Sequence, residues 1–159
     1  MAEISRKDLV LALIGASTNP RIAGVDLSAL DMTRLNLEGA NLRGAKLTVA
    51  TCRETILRST NMTGADCTSA QMPFADFNNA TLLGANFKGA NLNGARLAGS
   101  NLTGARLSGA NLTNAVLNSA NLQGANLQGA NVSGLKFDEK TTWPDGKKGS
   151  AGVPLDYTK

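Results

Sequence analysis

Ala85-Asn86-Phe87-Lys88-Gly89-Ala90-Asn91-Leu92-Asn93-Gly94 states the rule that most of the chain obeys: an apolar residue at every fifth position. Followed in both directions, the series runs without a slip of phase from Ile22, Leu27, Met32 and Leu37 to Leu122, Leu127, Val132 and Phe137. It has 24 members, of which 14 are Leu and none is polar. Only 42% of the chain is apolar, so this is a true internal repeat and is read before anything else.

Neither regular element can use a period of five. A helix turns by about 100° per residue, so steps of five scatter the leucines around its circumference. A strand has a period of two, so successive leucines would face opposite ways. Five works when each unit is a short strand followed by a corner. Two residues before each centre position lies a second inward position, because residues two apart share a strand face. Sixteen of its 24 occupants are Ala, including Ala40, Ala65 and Ala130. Two residues after the centre comes the corner, which needs a permissive backbone. Thirteen of the chain's 17 Gly sit there. The position just before each centre points outward and holds ten Asn, among them Asn41, Asn86, Asn91 and Asn101.

The charges give the number of sides. If coils stack in register, residues one coil apart are neighbours, and opposite charges are favoured there. Within the repeats five charged pairs are 20 residues apart, and all are opposite in sign: Asp26/Lys46, Lys46/Asp66, Arg34/Glu54, Glu38/Arg58 and Asp76/Arg96. At a separation of 15 the signs are mixed, and at 25 the pair Arg21/Lys46 repels. Twenty residues per coil means four sides. Twenty-four units then make about six coils, a rod roughly 29 Å long at about 4.8 Å per strand spacing.

The runs Ala40-Asn41-Leu42-Arg43-Gly44, Ala85-Asn86-Phe87-Lys88-Gly89 and Ala110-Asn111-Leu112-Thr113-Asn114 resemble the pentapeptide repeat proteins, whose pattern is Ala, Asp or Asn, Leu or Phe, then two freer residues. The resemblance spans about residues 20 to 139. It implies an all-β fold, a right-handed quadrilateral parallel β-helix. It says little about function, because family members serve varied roles.

The chain of 159 residues is expected to form one domain in three parts: a capping helix and linker (1–19), the β-helix (20–139) and a C-terminal cap and tail (140–159). A stacked coil exposes its core and strand edges at both ends, so caps are required. Ser5 to Ile14 reads as a helix, with Ser5 as its cap, Asp8 in its first turn and Gly15 beyond its end. Leu9 and Leu13 are its candidate residues over the first coil. Asn19-Pro20 then breaks the chain into the coils. At the other end Pro144-Asp145-Gly146 signals a tight turn, and Trp143, the single Trp, is the candidate cover of the last coil. This tail is also similar to those ending many cyanobacterial pentapeptide repeat proteins.

The composition argues against chemistry. There is no His, so no Ser-His or Cys-His pair exists, and two Cys alone make a poor zinc set. Cys52 and Cys67 both fall on centre positions and read as reduced, buried replacements for Leu, with a disulfide across the core as the alternative. No phosphate-binding loop is present, and no acid lies between Asp76 and Asp138. The chain is therefore read as a non-enzyme without cofactor, metal or small-molecule substrate. The segment Leu9 to Ile14 is too short to span a membrane and lacks a cleavage motif, so the expected location is the cytoplasm of a bacterium.

The expected function is that of a rigid rod presented to a protein partner, as a monomer or an end-to-end homodimer. The alternative is a modulator that binds DNA gyrase by imitating DNA, a role known in the family. Mimicry requires a strongly negative rod, and this chain carries a net charge of +4. Direct nucleic-acid binding is disfavoured too, since exposed aromatics for base stacking are nearly absent. Outward positions should be polar, so the exceptions mark candidate contacts: Val49, Ile56, Phe74, Leu83 and Val116. On a four-sided coil Ile56 and Val116 share a side, with Phe74 at its edge one coil above Glu54. Ile56, Arg58, Phe74 and Asp76 are the candidate partner patch.

Overall fold

A computed structural model of the protein describes residues 5–15, 20–152 and 154–159, without the side chains of Leu11, Leu13, Ile14, Gly15 and Ala151. Its regular unit is clear in Ala40-Asn41-Leu42-Arg43-Gly44. The Asn41 N–H donates to the Pro20 carbonyl of the preceding coil, and the Leu42 N–H donates to the Asn61 carbonyl of the following one. The Ala45 N–H then closes a turn by donating to the Leu42 carbonyl at 3.0 Å. The third residue of that turn, Gly44, has φ +65°. A positive φ at this place is the signature of a type II turn. The outward Asn serves the same turn from its side chain: Asn41 Oδ1 accepts the Arg43 N–H at 3.2 Å. Asn36, Asn61, Asn86 and Asn91 repeat that contact, which explains why Asn fills this position so often.

Every bridge from Arg21↔Asn41 to Val116↔Lys136 is parallel and joins residues 20 apart. Four five-residue units therefore make each coil, and the rod has four sides. In chain order these carry the outward columns beginning Arg21, Asp26, Asp31 and Asn36. The charge pairs follow the register in part. Arg34 Nε meets Glu54 Oε2 at 2.8 Å, and Arg96 Nη1 stands 3.9 Å from Asp76 Oδ2. Arg58, expected against Glu38, instead donates from Nε to Asp76 Oδ2 at 2.7 Å. The diagonal acid is the better buried of the two, so the pair is less screened by water.

Inward residues form one continuous core in which most centre and Ala positions have at most 1% of their surface exposed. Burying each Leu contributes about 1.5–3 kcal/mol. Phe77 and Phe87 meet edge to face with centroids 6.0 Å apart. The hydroxyls that replace Ala at Thr55, Thr60 and Ser100 each donate to a backbone carbonyl, so no polar group is stranded there. Cys52 and Cys67 are buried free thiols. Burial pushes the Cys52 thiol up to about 12 and that of Cys67 well above the ordinary range, which suppresses the nucleophilic thiolate.

A helix, α1, spans Arg6–Gly15. Ser5 and Asp8 cap each other reciprocally: Ser5 Oγ accepts the Asp8 N–H, and Asp8 Oδ2 accepts the Ser5 N–H. Leu9 is fully buried within the core cluster, while the side chain of Leu13 lies outside the described residues. Arg6 donates from both terminal nitrogens to the carbonyls of Asp31 and Thr33. These are first-coil equivalents of the carbonyls that, higher in the rod, accept from the coil below. One guanidinium thus stands in for a missing strand.

At the far end the apolar series stops at Phe137, but the ladder continues after one extra residue. Thr142 bridges Asn121, 21 residues back, and its carbonyl accepts the Leu122 N–H. Trp143 is thereby placed where a centre residue would fall and is 1% exposed. Its indole N–H donates to the Gly149 carbonyl at 2.8 Å. Phe137 meets it edge to face at 5.1 Å, and Tyr157 stacks on it at 5.8 Å. A hairpin follows, with Thr142 pairing antiparallel to Lys148 and the Gly146 N–H donating to the Trp143 carbonyl.

Two acids fasten this segment. Partial burial works against ionisation of Asp138, yet hydrogen bonds from Ser119, Thr141 and Lys140 bring its carboxyl down to about 2. Lys147 above all, with Tyr157, brings Asp145 to about 2. A carboxyl held below its ordinary value of 3.8 stabilises the fold above that pH, and the contribution disappears as pH falls toward about 2. Fluorescence of the single Trp should therefore report loosening of the C-terminal segment between about pH 4 and pH 2. An unchanged spectrum across that window would contradict this role for the two acids.

Candidate functional site

The fourth side and the corner beside it hold three of the five outward apolar departures, Ile56, Phe74 and Val116. Bridges align Asn36, Ile56, Asp76, Arg96 and Val116 in one outward column. The neighbouring corner column runs Arg34, Glu54, Phe74 and Gly94. Between them lies an open groove of about 350 Å³, lined by Glu54, Ile56, Arg58, Phe74, Asp76, Gly94 and Arg96. All four patch residues predicted from sequence, Ile56, Arg58, Phe74 and Asp76, line this one groove. Val49 and Leu83 are exposed at 53% and 42% but are not among its lining, and neither is Val116.

Phe74 dominates the groove. It sits at a corner with φ +59°, a conformation that costs a non-Gly residue about 1–2 kcal/mol. It is 50% exposed. Its ring lies over Gly94, one coil on, so closely that a Cβ built on Gly94 would be 2.6 Å from two ring carbons. The Arg53 guanidinium stands 5.9 Å from the ring centroid, within cation–π range. Pro73 precedes it and fixes the approach of the chain.

The charged lining is ordered by mutual contact. Glu54 accepts from Arg34 Nε at 2.8 Å and from Arg53 Nε at 3.1 Å, and these hydrogen bonds, that from Arg34 first, lower its pKa. Asp76 is buried to 7% exposure at the groove floor. Its Oδ2 accepts from Arg58 and its Oδ1 accepts the Asn78 N–H at 3.1 Å. That contact also raises the Arg58 pKa, so the guanidinium is firmly charged. Arg34 and Glu54 were legible as a register pair, and Glu54 as the residue one coil below Phe74, but the approach of Arg53 to the ring was not, because it depends on a rotamer around a corner.

Among the described residues no group of three His, Cys, Asp or Glu is placed to hold a metal ion, and no buried side-chain polar atom lacks a partner. No helix among them is long and apolar enough to cross a membrane. The groove offers apolar contact, guanidinium donors and fixed carboxylates.

The four-sided parallel coil built from five-residue units defines the class, a quadrilateral β-helix, which is right-handed in proteins of this kind. The profile for pentapeptide repeats matches in 8 copies over residues 19–48, 41–73, 60–99, 70–109 and 95–134, and the chain belongs to this family. Among solved structures it is similar to HetL, a pentapeptide repeat protein involved in heterocyst differentiation regulation in the cyanobacterium Nostoc. Identity is 32% over 82% of this chain, with a TM-score of 0.51, and the match spans 62% of HetL. It is also similar to the pentapeptide repeat protein Rfr23 of the cyanobacterium Cyanothece, at 25% identity over 85% of this chain and 99% of that one, with a TM-score of 0.57. No curated protein is significantly similar in sequence.

The contact between Phe74 and Gly94 can be tested by two substitutions. Gly84→Ala has open space and should cost about 1–2 kcal/mol for its left-handed φ alone. Gly94→Ala carries the same cost plus a clash with the Phe74 ring, about 1–3 kcal/mol more. In a Phe74→Gly background the two penalties should become equal. Denaturant titrations of the double-mutant cycle measure this, and an undiminished Gly94→Ala penalty would refute the contact.

Proposed function

We propose that the protein is a non-enzymatic interaction module of the bacterial cytoplasm, which presents the Phe74 groove to a protein partner. In this reading about six coils form a rigid rod over residues 20–139. Residues 1–19, through Leu9, and residues 140–159, through Trp143, close its two ends, and the rod acts as a monomer or an end-to-end homodimer. The single observation that carries the proposal is Phe74. Gly takes the corner conformation freely and fills most corners of this chain. Other non-Gly corners, such as Val49, Glu54 and Ser59, share that backbone, so what sets Phe74 apart is a half-exposed aromatic ring, which stabilises the fold poorly where it stands. Aromatic and Arg side chains gathered in one place are also what protein-binding hot spots favour. Gyrase binding by DNA mimicry gains nothing from this groove, whose lining sets two arginines, Arg58 and Arg96, against two carboxylates, Glu54 and Asp76, and so offers no negative stripe.

Phe74→Gly separates the two roles. Removing the strain should leave folding stability equal to wild type or raised by up to about 1 kcal/mol. Affinity capture from extract of the native cell should lose a partner that the wild-type protein retains. Retention of the same partner by the variant at equal yield would sink the proposal.

A further inference from the structure

Within this proposed contact surface, one guanidinium is left over. Four arginines, Arg34, Arg53, Arg58 and Arg96, stand against two carboxylates, Glu54 and Asp76, so the cluster is net positive. Glu54 is satisfied by Arg34 and Arg53. Asp76 is satisfied at one oxygen by Arg58 and at the other by the Asn78 N–H. Arg96 stands 3.9 Å from Asp76, beyond hydrogen-bond length, with 64% of its side chain exposed. Among the described residues its guanidinium donates no hydrogen bond, although its backbone is locked in the ladder between Asp76 and Val116. The backbone position is fixed, and the guanidinium donors make no hydrogen bond to the acids beside them.

We infer that Arg96 is a carboxylate anchor, and that the groove takes a protein segment in which an acidic residue adjoins an apolar one. The planar fork of Arg96 can receive a carboxylate through two parallel N–H donors. An apolar side chain beside that carboxylate would lie in the groove against Phe74 and Ile56. The local charge favours this occupant. The cluster holds more guanidinium than carboxylate charge, and Arg96 is the member that hydrogen-bonds to neither acid. A basic segment would meet repulsion at that point, and a purely apolar one would cover Arg96 and leave it unpaired.

This inference rests on the groove reading above, and its test distinguishes the two. The probes are short synthetic peptides with an aspartate followed by a leucine, its asparagine-for-aspartate isostere, and a version with serine for leucine. Binding is followed by amide chemical shifts of the full chain at millimolar peptide. The aspartate–leucine peptide is expected to move the amides of Phe74, Asp76, Gly94 and Arg96. The isostere and the Arg96→Ala variant should each bind about tenfold more weakly or not at all. Arg96→Lys should recover only part of the affinity, since an ammonium cannot form the paired contact. Equal binding of the isostere at the same amides would overturn the carboxylate anchor and leave the groove reading standing. Shifts confined to other sides of the rod, or none, would overturn both. Self-association that Arg96→Ala abolishes and the peptide does not compete would also overturn it, in favour of a second copy as the occupant.

Discussion

The hydrogen bond from each inward N–H to the preceding centre carbonyl is the contact on which the rest depends. It closes a turn every five residues, as from Ala45 to Leu42 and from Ala95 to Leu92, both at 3.0 Å. Closing the turn forces the intervening corner residue into a left-handed backbone. The corner redirects the chain by about a quarter turn, so that four units return it above its start. The coil offset of 20 residues, the parallel ladder and the dry interior of Leu and Ala all follow from that repeated corner. So does the outward Asn, whose carbonyl oxygen braces the same turn.

This dependence explains what could be read from the sequence. The corner rule is local and repeated, so periodicity exposes it without knowledge of distant contacts. The four sides were legible because neighbouring coils place charges side by side. The groove was legible only as a set of exceptions. Ile56 and Phe74 break the outward pattern, and the 20-residue offset brings them to one side. What could not be read depends on side-chain direction. Arg58 turns from Glu38 to the more buried Asp76, and Arg53 reaches around a corner to Phe74. Periodicity fixes where a Cβ stands and leaves open where a five-atom side chain ends.

The ends follow a different logic, because there the ladder has no next coil. At one end Arg6 supplies with a side chain the two donors that a strand would give. At the other, Thr142 to Pro144 add another stretch of strand after one extra residue, and Trp143 fills the centre place with a far larger group than Leu. That extra residue breaks the count of five, which is why the series ends at Phe137 although the ladder does not. The Trp143 indole, held between Phe137 and Tyr157, covers the interior that a further coil would have buried.

A repeat of this kind separates stability from recognition more sharply than an ordinary globular fold. The interior takes up nearly every centre and inward side chain, leaving single outward positions to vary with little effect on the core. Within the coils, long-range contacts run between neighbours, so an unusual residue disturbs its own coil and the two beside it. Phe74 illustrates this. Its strain is confined to one corner, and its ring is accommodated by a glycine one coil away. The cation–π contact with Arg53 offsets part of that strain, about 0.5–1 kcal/mol at an exposed site. The remaining strain is carried by a core whose buried Leu side chains each contribute about 1.5–3 kcal/mol. A rod built in this way can hold a strained, half-exposed aromatic between fixed charges. The same regularity that makes most of the chain uninformative about function thus gives the few departures from it their meaning.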